Sequence, residues 1–257
     1  MKIKSKFPWI YMALITIIIY VPIVLTVVYS FNESRISSIW GGFSITWYKT
    51  LFANRSMAEA LKNSIVLAAL SCLAAVVIGT TGAIGMQKYK NKVNNVISNI
   101  SVLPLMIPEI ILGMIFLATF SFLNLPFGML TLVIAHTTFC VPYIFMTVKA
   151  RLAGMDPSIE EAARDLGANG VQIFFDITLP AIMPAILSGS LLAFAASFDD
   201  VVISIFVTGA KVNTLPIKIY TSMKTGVTPE INALATMILL VTIILVVLSQ
   251  IIGRYKK

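Results

Sequence analysis

Three carboxylates lie in stretches of this chain that are otherwise apolar. Glu109 sits in the run around Val96 to Phe122, and Asp199-Asp200 sit in a run that begins near Ala181. An Asp near the centre of a bilayer costs about 2.5–3.5 kcal/mol on insertion scales, so such residues face a bundle interior or an aqueous path. Asp199 and Asp200 repel each other, and no Lys or Arg lies within several residues to neutralise them. A cation arriving from outside is one remedy, which makes these acids a path for positively charged substrate. The other is placement at the membrane surface, or pairing with Lys211 or a partner subunit. Trp47 could receive an ammonium on its ring face through a cation–π contact worth about 0.5–2 kcal/mol, but Trp also serves as a plain interfacial anchor. His136, the only histidine, suits a proton relay or a hydrogen-bonded packing role. No Ser/His/Asp arrangement, HExxH or Walker phosphate loop is present, so the chain is expected to hydrolyse nothing itself. Cys72 and Cys140 are not at metal-ligand spacing and read as small buried residues, and no metal site is expected.

The elements that must position these groups are membrane spans. With 58% hydrophobic and 12% charged residues, the chain lacks the charge a soluble surface needs. Six apolar segments approach the roughly 20 residues a bilayer core requires: about 9–30, 63–86, 96–122, 129–148, 181–207 and 231–253. The expected fold is therefore an all-α polytopic membrane protein in one domain. Met1 to Lys6 followed by an apolar run imitates a signal peptide, yet Phe7 to Phe31 is uncharged throughout and no small-x-small site closes it. It reads as a span that stays. Pro104 and Pro108 break the third span, which is tolerated where protein or a water-filled cavity satisfies the freed backbone groups. Gly79, Gly82, Gly85 and Ser188-Gly189-Ser190 suit close helix packing.

The net charge of +8 comes from short basic clusters flanking apolar runs, a topology signal rather than a nucleic-acid stripe. With the N-terminus inside, Lys2, Lys4, Lys6, Lys88, Lys90, Lys92, Lys149, Arg151, Arg164, Arg254, Lys256 and Lys257 face the cytoplasm. Seven basic residues remain outside, over longer loops. The bias predicts both termini inside, and puts the polar stretch 149–180 inside as well.

That stretch carries a second pattern. Asp156 is an N-cap candidate and Pro157 suits the first helical position. Ile159, Ala162, Ala163 and Leu166 make one apolar stripe, and Gly167 is placed to end the helix in a left-handed cap. A second short helix, about Val171 to Ile177, leads to Leu179-Pro180 and the next span.

Glu161-Ala162-Ala163, three residues, Gly167, nine residues, Ile177, one residue, Leu179-Pro180 resembles the cytoplasmic "EAA" loop of membrane subunits of ATP-binding-cassette importers, with every position filled. The resemblance implies a type I importer permease fold, with this loop as the coupling helix that docks on an ATPase subunit. Ser197-Phe198-Asp199-Asp200, Gly42-Phe43 with Trp47-Tyr48, and Pro229-Glu230-Ile231-Asn232-Ala233-Leu234-Ala235-Thr236 further resemble the polyamine (spermidine/putrescine) branch. That branch implies Trp47, Glu109, Ser197, Asp199 and Asp200 as residues of the substrate path. It also implies a bacterial cytoplasmic membrane and lipid surroundings, a second homologous permease, and an external polyamine-binding protein. An ATPase dimer would hold ATP and magnesium, leaving this chain without a cofactor. Another cationic or small solute, or an ion-coupled carrier using Asp199-Asp200 and His136, are the alternatives.

Overall fold

Apolar segments in a bilayer must bond their backbone internally, and the chain does so almost wholly by helices. The computed structural model describes residues 7–36, 39–88, 92–224, 226 and 229–255. The helices are α1 (Phe7–Tyr29), α2 (Thr46–Ala53), α3 (Arg55–Lys88), α4 (Lys92–Met106), α5 (Glu109–Phe122) and α6 (Met129–Ala153). They continue as α7 (Pro157–Asp165), α8 (Gly170–Ile173), α9 (Leu179–Asp199), α10 (Val202–Val207), α11 (Leu215–Lys224) and α12 (Pro229–Tyr255), with a π-turn, Phe174–Thr178, between α8 and α9. Among the described residues the only β pairing is a single bridge, Asn32 to Phe43.

Four helical stretches are long and apolar enough to cross a membrane: Trp9–Tyr29, Arg55–Gln87, Met129–Ala153 and Gly170–Asp199. The third predicted span is two helices, α4 and α5, bent by 104°. Pro108 explains the bend, because proline drives the preceding residue out of the α region and Ile107 leaves the helix. The last predicted span corresponds to the apolar stretch Pro229–Ile244 within α12. The fifth differs most. It starts at Gly170 rather than near Ala181, since α8, the π-turn and α9 run on as one helix. The Leu179 amide bonds the Phe174 carbonyl five residues back, a wider turn that carries the helix into Pro180. This helix also stops at Asp199, eight residues before the predicted end. Of the basic residues used for orientation, Lys2, Lys4, Lys6, Lys90, Lys256 and Lys257 lie outside the described residues.

The chain forms two compact units. One combines Met1–Ala58 with Ile219–Lys257. Here Asn32, fully buried, organises the turn after α1: its amide donates to the Ile39 carbonyl at 2.7 Å and its side-chain oxygen accepts from the Gly41 amide at 2.8 Å. Phe31 stacks on Phe43 with ring centroids 5.2 Å apart. The Asn54 amide donates to Glu230 on α12 at 2.7 Å.

The other unit is Glu59–Lys218, built around α6. Leu132, Ala135, Cys140, Ile144 and Val148 of α6 are completely buried. A Cβ on Gly189 of α9 would collide with Thr147 Oγ1 and lie 3.0 Å from Ile144 Cα; one on Gly79 of α3 would lie 3.1 Å from the Phe145 nitrogen. Both glycines let a neighbouring backbone approach α6 closely. A Cβ on Gly85 would meet no atom of this chain within 4 Å, so no packing within the chain requires a glycine there. The thiols of Cys72 and Cys140 donate to the Ser190 and Ala193 carbonyls of α9.

The polar stretch folds by local capping. Asp156 accepts from the Ser158 amide at 3.0 Å, and Pro157 opens α7. Gly167, at φ +88°, closes the helix: its amide bonds Arg164 and the Ala168 amide bonds Ala163, the paired 5→2 and 6→1 bonds of a Schellman motif. No residue of α7 is buried, and Ile159 and Leu166 are exposed.

Candidate functional site at two helix breaks

The membrane acids meet where two helices are interrupted. α4 ends at Met106 and α5 starts at Glu109; α9 ends at Asp199 and α10 starts at Val202. A cavity of about 470 Å³ opens between these ends. Its wall takes Pro104 and Leu105 from α4, Glu109 and Leu112 from α5, and Phe139 and Tyr143 from α6. Ala196 and Asp199 of α9, the link Asp200-Val201, and Val202 and Ile203 of α10 complete it, with Ile107 at the other break. Interrupted backbone of this kind is tolerated at membrane depth where it lines a cavity. The second unit supplies all of these residues.

The break at Asp200 has a local cause. A helix start leaves its first amides without partners, and a carboxylate just before it can take them. Asp200 Oδ2 accepts from the Ser204 amide and from the Ser204 hydroxyl, both at 2.8 Å, and Oδ1 accepts from the Ile203 amide at 3.2 Å. His136, fully buried on α6, places Nε2 at 3.4 Å from Asp200 Oδ2 and 3.0 Å from Ser204 Oγ. Its Nδ1 lies 2.7 Å from the Ser197 hydroxyl.

The predicted residues therefore separate. Glu109, Asp199 and Asp200 come together at the cavity. Ser197 is buried behind it, against His136, and is not part of the wall. Trp47 belongs to the other unit, where its indole N–H donates to the Asn32 carbonyl at 2.8 Å. Among the described residues no Lys or Arg pairs with these acids; the imidazole within reach of Asp200 is that of His136. His136 and Ser204 were absent from the predicted path. Asp200 preceding Val202, with Ser204 four residues on, carried a readable helix-start signal.

Of the coupling residues, Glu161, Ala162 and Ala163 lie on α7, Gly167 at its left-handed cap, Ile177 in the π-turn, and Leu179 and Pro180 at the start of α9. Glu160, the neighbour of Glu161, is the acid held from within the chain, accepting from the Thr178 hydroxyl at 2.8 Å. Carboxylates beside aromatic side chains, Phe139 and Tyr143, are groups that an organic cation's charge and apolar stem could use.

Known proteins resemble this chain in sequence and in fold. The chain is 41% identical to the spermidine/putrescine transport system permease protein PotC of Haemophilus influenzae, over 92% of each sequence. It is 42% identical to the putrescine transport system permease protein PotI of Escherichia coli, over 86% of this chain and 81% of that one. In fold it matches a bacterial ABC transporter involved in the import of the acidic polysaccharide alginate, with a TM-score of 0.73 at 15% identity, covering 98% of this chain and 95% of the other. A fold shared with an importer of an anion does not by itself decide the cargo. Residues 75–255 match the model of binding-protein-dependent transport system inner membrane components, and it is to this family of ABC importer permeases that the chain belongs.

Proposed function

We propose that the chain is the permease subunit of an ATP-driven importer that moves polyamines such as spermidine and putrescine across the bacterial cytoplasmic membrane. The observation carrying this reading is the cavity at the two helix breaks, lined by Glu109, Asp199 and Asp200 with Phe139 and Tyr143. The names of its relatives, a spermidine/putrescine permease and a putrescine permease, support the cargo. A second related permease, a pair of ATPase subunits carrying ATP and magnesium, and an external polyamine-binding protein complete the transporter. The excess of Lys and Arg in alternate loops supports both termini, and α7, on the cytoplasmic side.

Mechanistically, closure of the ATPase pair pushes on α7, whose exposed Ile159 and Leu166 offer an apolar face to a partner groove. The helix running from Gly170 to Asp199 connects that region to the cavity. The exposed acids Glu109 and Asp199 act as weak sites, replacing water around a multiply charged amine and then releasing it. The test is uptake by the complete transporter in sealed proteoliposomes, with ATP and no proton gradient. Putrescine and spermidine should enter and stimulate ATP hydrolysis; arginine should not. Asp199→Asn and Glu109→Gln should cut uptake while the assembled complex keeps its ATPase subunits. Uptake that requires a proton gradient and ignores ATP would favour an ion-coupled carrier. Stimulation by arginine alone would change the cargo.

A further inference from the structure

Resting on the polyamine reading of the cavity, we propose that the adjacent acids Asp199 and Asp200 do different work. His136, Ser197 and Ser204 position Asp200 as the pin of the α9–α10 break, while Asp199 and Glu109 are the carboxylates offered to the cation.

The division follows from where each oxygen's acceptor capacity goes. A carboxylate is acceptor-only when ionised, and the Asp200 side chain, 5% exposed, already receives three donors. Two of them are the orphan amides of Ile203 and Ser204 at the start of α10. The third is the Ser204 hydroxyl, which in turn has His136 Nε2 at 3.0 Å. With Ser204 donating to Asp200, its oxygen accepts from Nε2–H, and Nδ1 accepts from the Ser197 hydroxyl at 2.7 Å. One unbroken chain of donors then runs from α9 through α6 to α10: Ser197, His136, Ser204, Asp200. By contrast, no other described residue hydrogen-bonds the Asp199 or Glu109 carboxylate, and both residues are exposed on the cavity wall. His136 and Ser197 are buried and take no part in that wall. They act only through Asp200 and the α9–α10 break it holds, as positioning residues.

The geometry also predicts what Asn at position 200 does. Whichever oxygen became an amide nitrogen would face an N–H or O–H donor, so the loss comes from a disrupted break rather than a missing cation contact.

The test is a pair of double-mutant cycles on spermidine uptake by the complete reconstituted transporter, corrected for assembled complex. His136→Leu and Asp200→Asn should each lower uptake about tenfold or more, the scale of a lost hydrogen bond to a charged group. Because they break one unit, His136→Leu with Asp200→Asn should be no worse than the weaker single variant. His136→Leu with Asp199→Asn should multiply the two losses. A second comparison holds even where His136→Leu fails to assemble. His136→Gln, whose amide reaches the Nε2 position and donates to Ser204, should keep uptake within about threefold of wild type, while His136→Asn, which reaches only the Nδ1 position, should not. Multiplied losses in the His136/Asp200 pair, or equal uptake by the Gln and Asn variants, overturn the proposal. A wild-type transporter that carries neither spermidine nor putrescine overturns the polyamine reading and the cation-facing half of this one with it.

Discussion

The Thr178 hydroxyl donates to the Glu160 carboxylate at 2.8 Å, joining α7 to the π-turn at the foot of α9. Thr178 is buried and the Glu160 carboxylate is partly exposed, so the bond lies at the edge of the contact between α7 and the π-turn. A π-turn in a long helix often marks a functional site. If α7 receives the ATPase stroke, this contact is a direct side-chain link into the helix that ends at Asp199. Thr178→Val keeps the shape and removes the donor, and should lower spermidine carried per ATP by about three- to tenfold, a range set by the usual net value of one such bond. Glu160→Gln keeps an acceptor and should stay near wild type. Simultaneous measurement of uptake and phosphate release checks both.

Glycines in the spans should separate by what surrounds them. A methyl group at Gly189 meets Thr147 and the Ile144 backbone, whereas at Gly85 it meets nothing within 4 Å. Gly189→Ala should therefore cost about 1–3 kcal/mol as an overpacked helix crossing. Gly85→Ala should gain about 0.5–1 kcal/mol by stiffening a helix interior. Thermal unfolding of the purified complex reads both, and shifts of the same sign would contradict the packing assigned to α9 on α6.

How much of this was legible before folding depended on range. Asp156, Pro157 and Gly167 act within a turn of their own positions, so the ends of α7 could be read from local residue types. The acids were conspicuous because charge in an apolar run is rare. Pro108 announced a break in the third span, but not a bend of 104°, which depends on what α5 packs against. Phe206 of α10 sits against Gly113 there. Pro180 read as the boundary of a helix that in fact continues through it, because a π-turn absorbed the missing donor. The pairing of His136 with Asp200 joins residues far apart in the chain, and no spacing rule connects them.

A pH effect is expected at the start of α7. Donation from the Ser158 amide holds the Asp156 carboxyl below the ordinary carboxylate range. A lowered folded value means the cap's contribution is full above the ordinary carboxyl range and is lost as pH falls through the lowered value. Hydrogen-exchange protection of the first α7 amides should therefore persist at neutral pH and decline in acid. Asp156→Asn, also a good cap, should keep most of the protection and lose its dependence on acid. An acid response unchanged in that variant would point to another titrating group.

Trp47 offers a sharper choice between its two possible roles. Its indole N–H is committed to the Asn32 carbonyl, and Asn32 in turn holds the loop through Ile39 and Gly41. Trp47→Phe keeps an aromatic face for an ammonium group and deletes the donor together with one ring of the indole. On the hydrogen-bonding role, Phe leaves that carbonyl unpaired and loosens the turn by about 0.5–1.5 kcal/mol, or about two- to tenfold in its open population. Limited proteolysis between Ser30 and Ile45 should accelerate by that factor, and uptake should fall with it. A cation–π role predicts the reverse pattern, since Phe retains the ring: cleavage unchanged and uptake largely kept. Because the bond to Asn32 is made inside the chain without any substrate, accelerated cleavage of the Phe variant in substrate-free complex assigns Trp47 to the architecture of the turn.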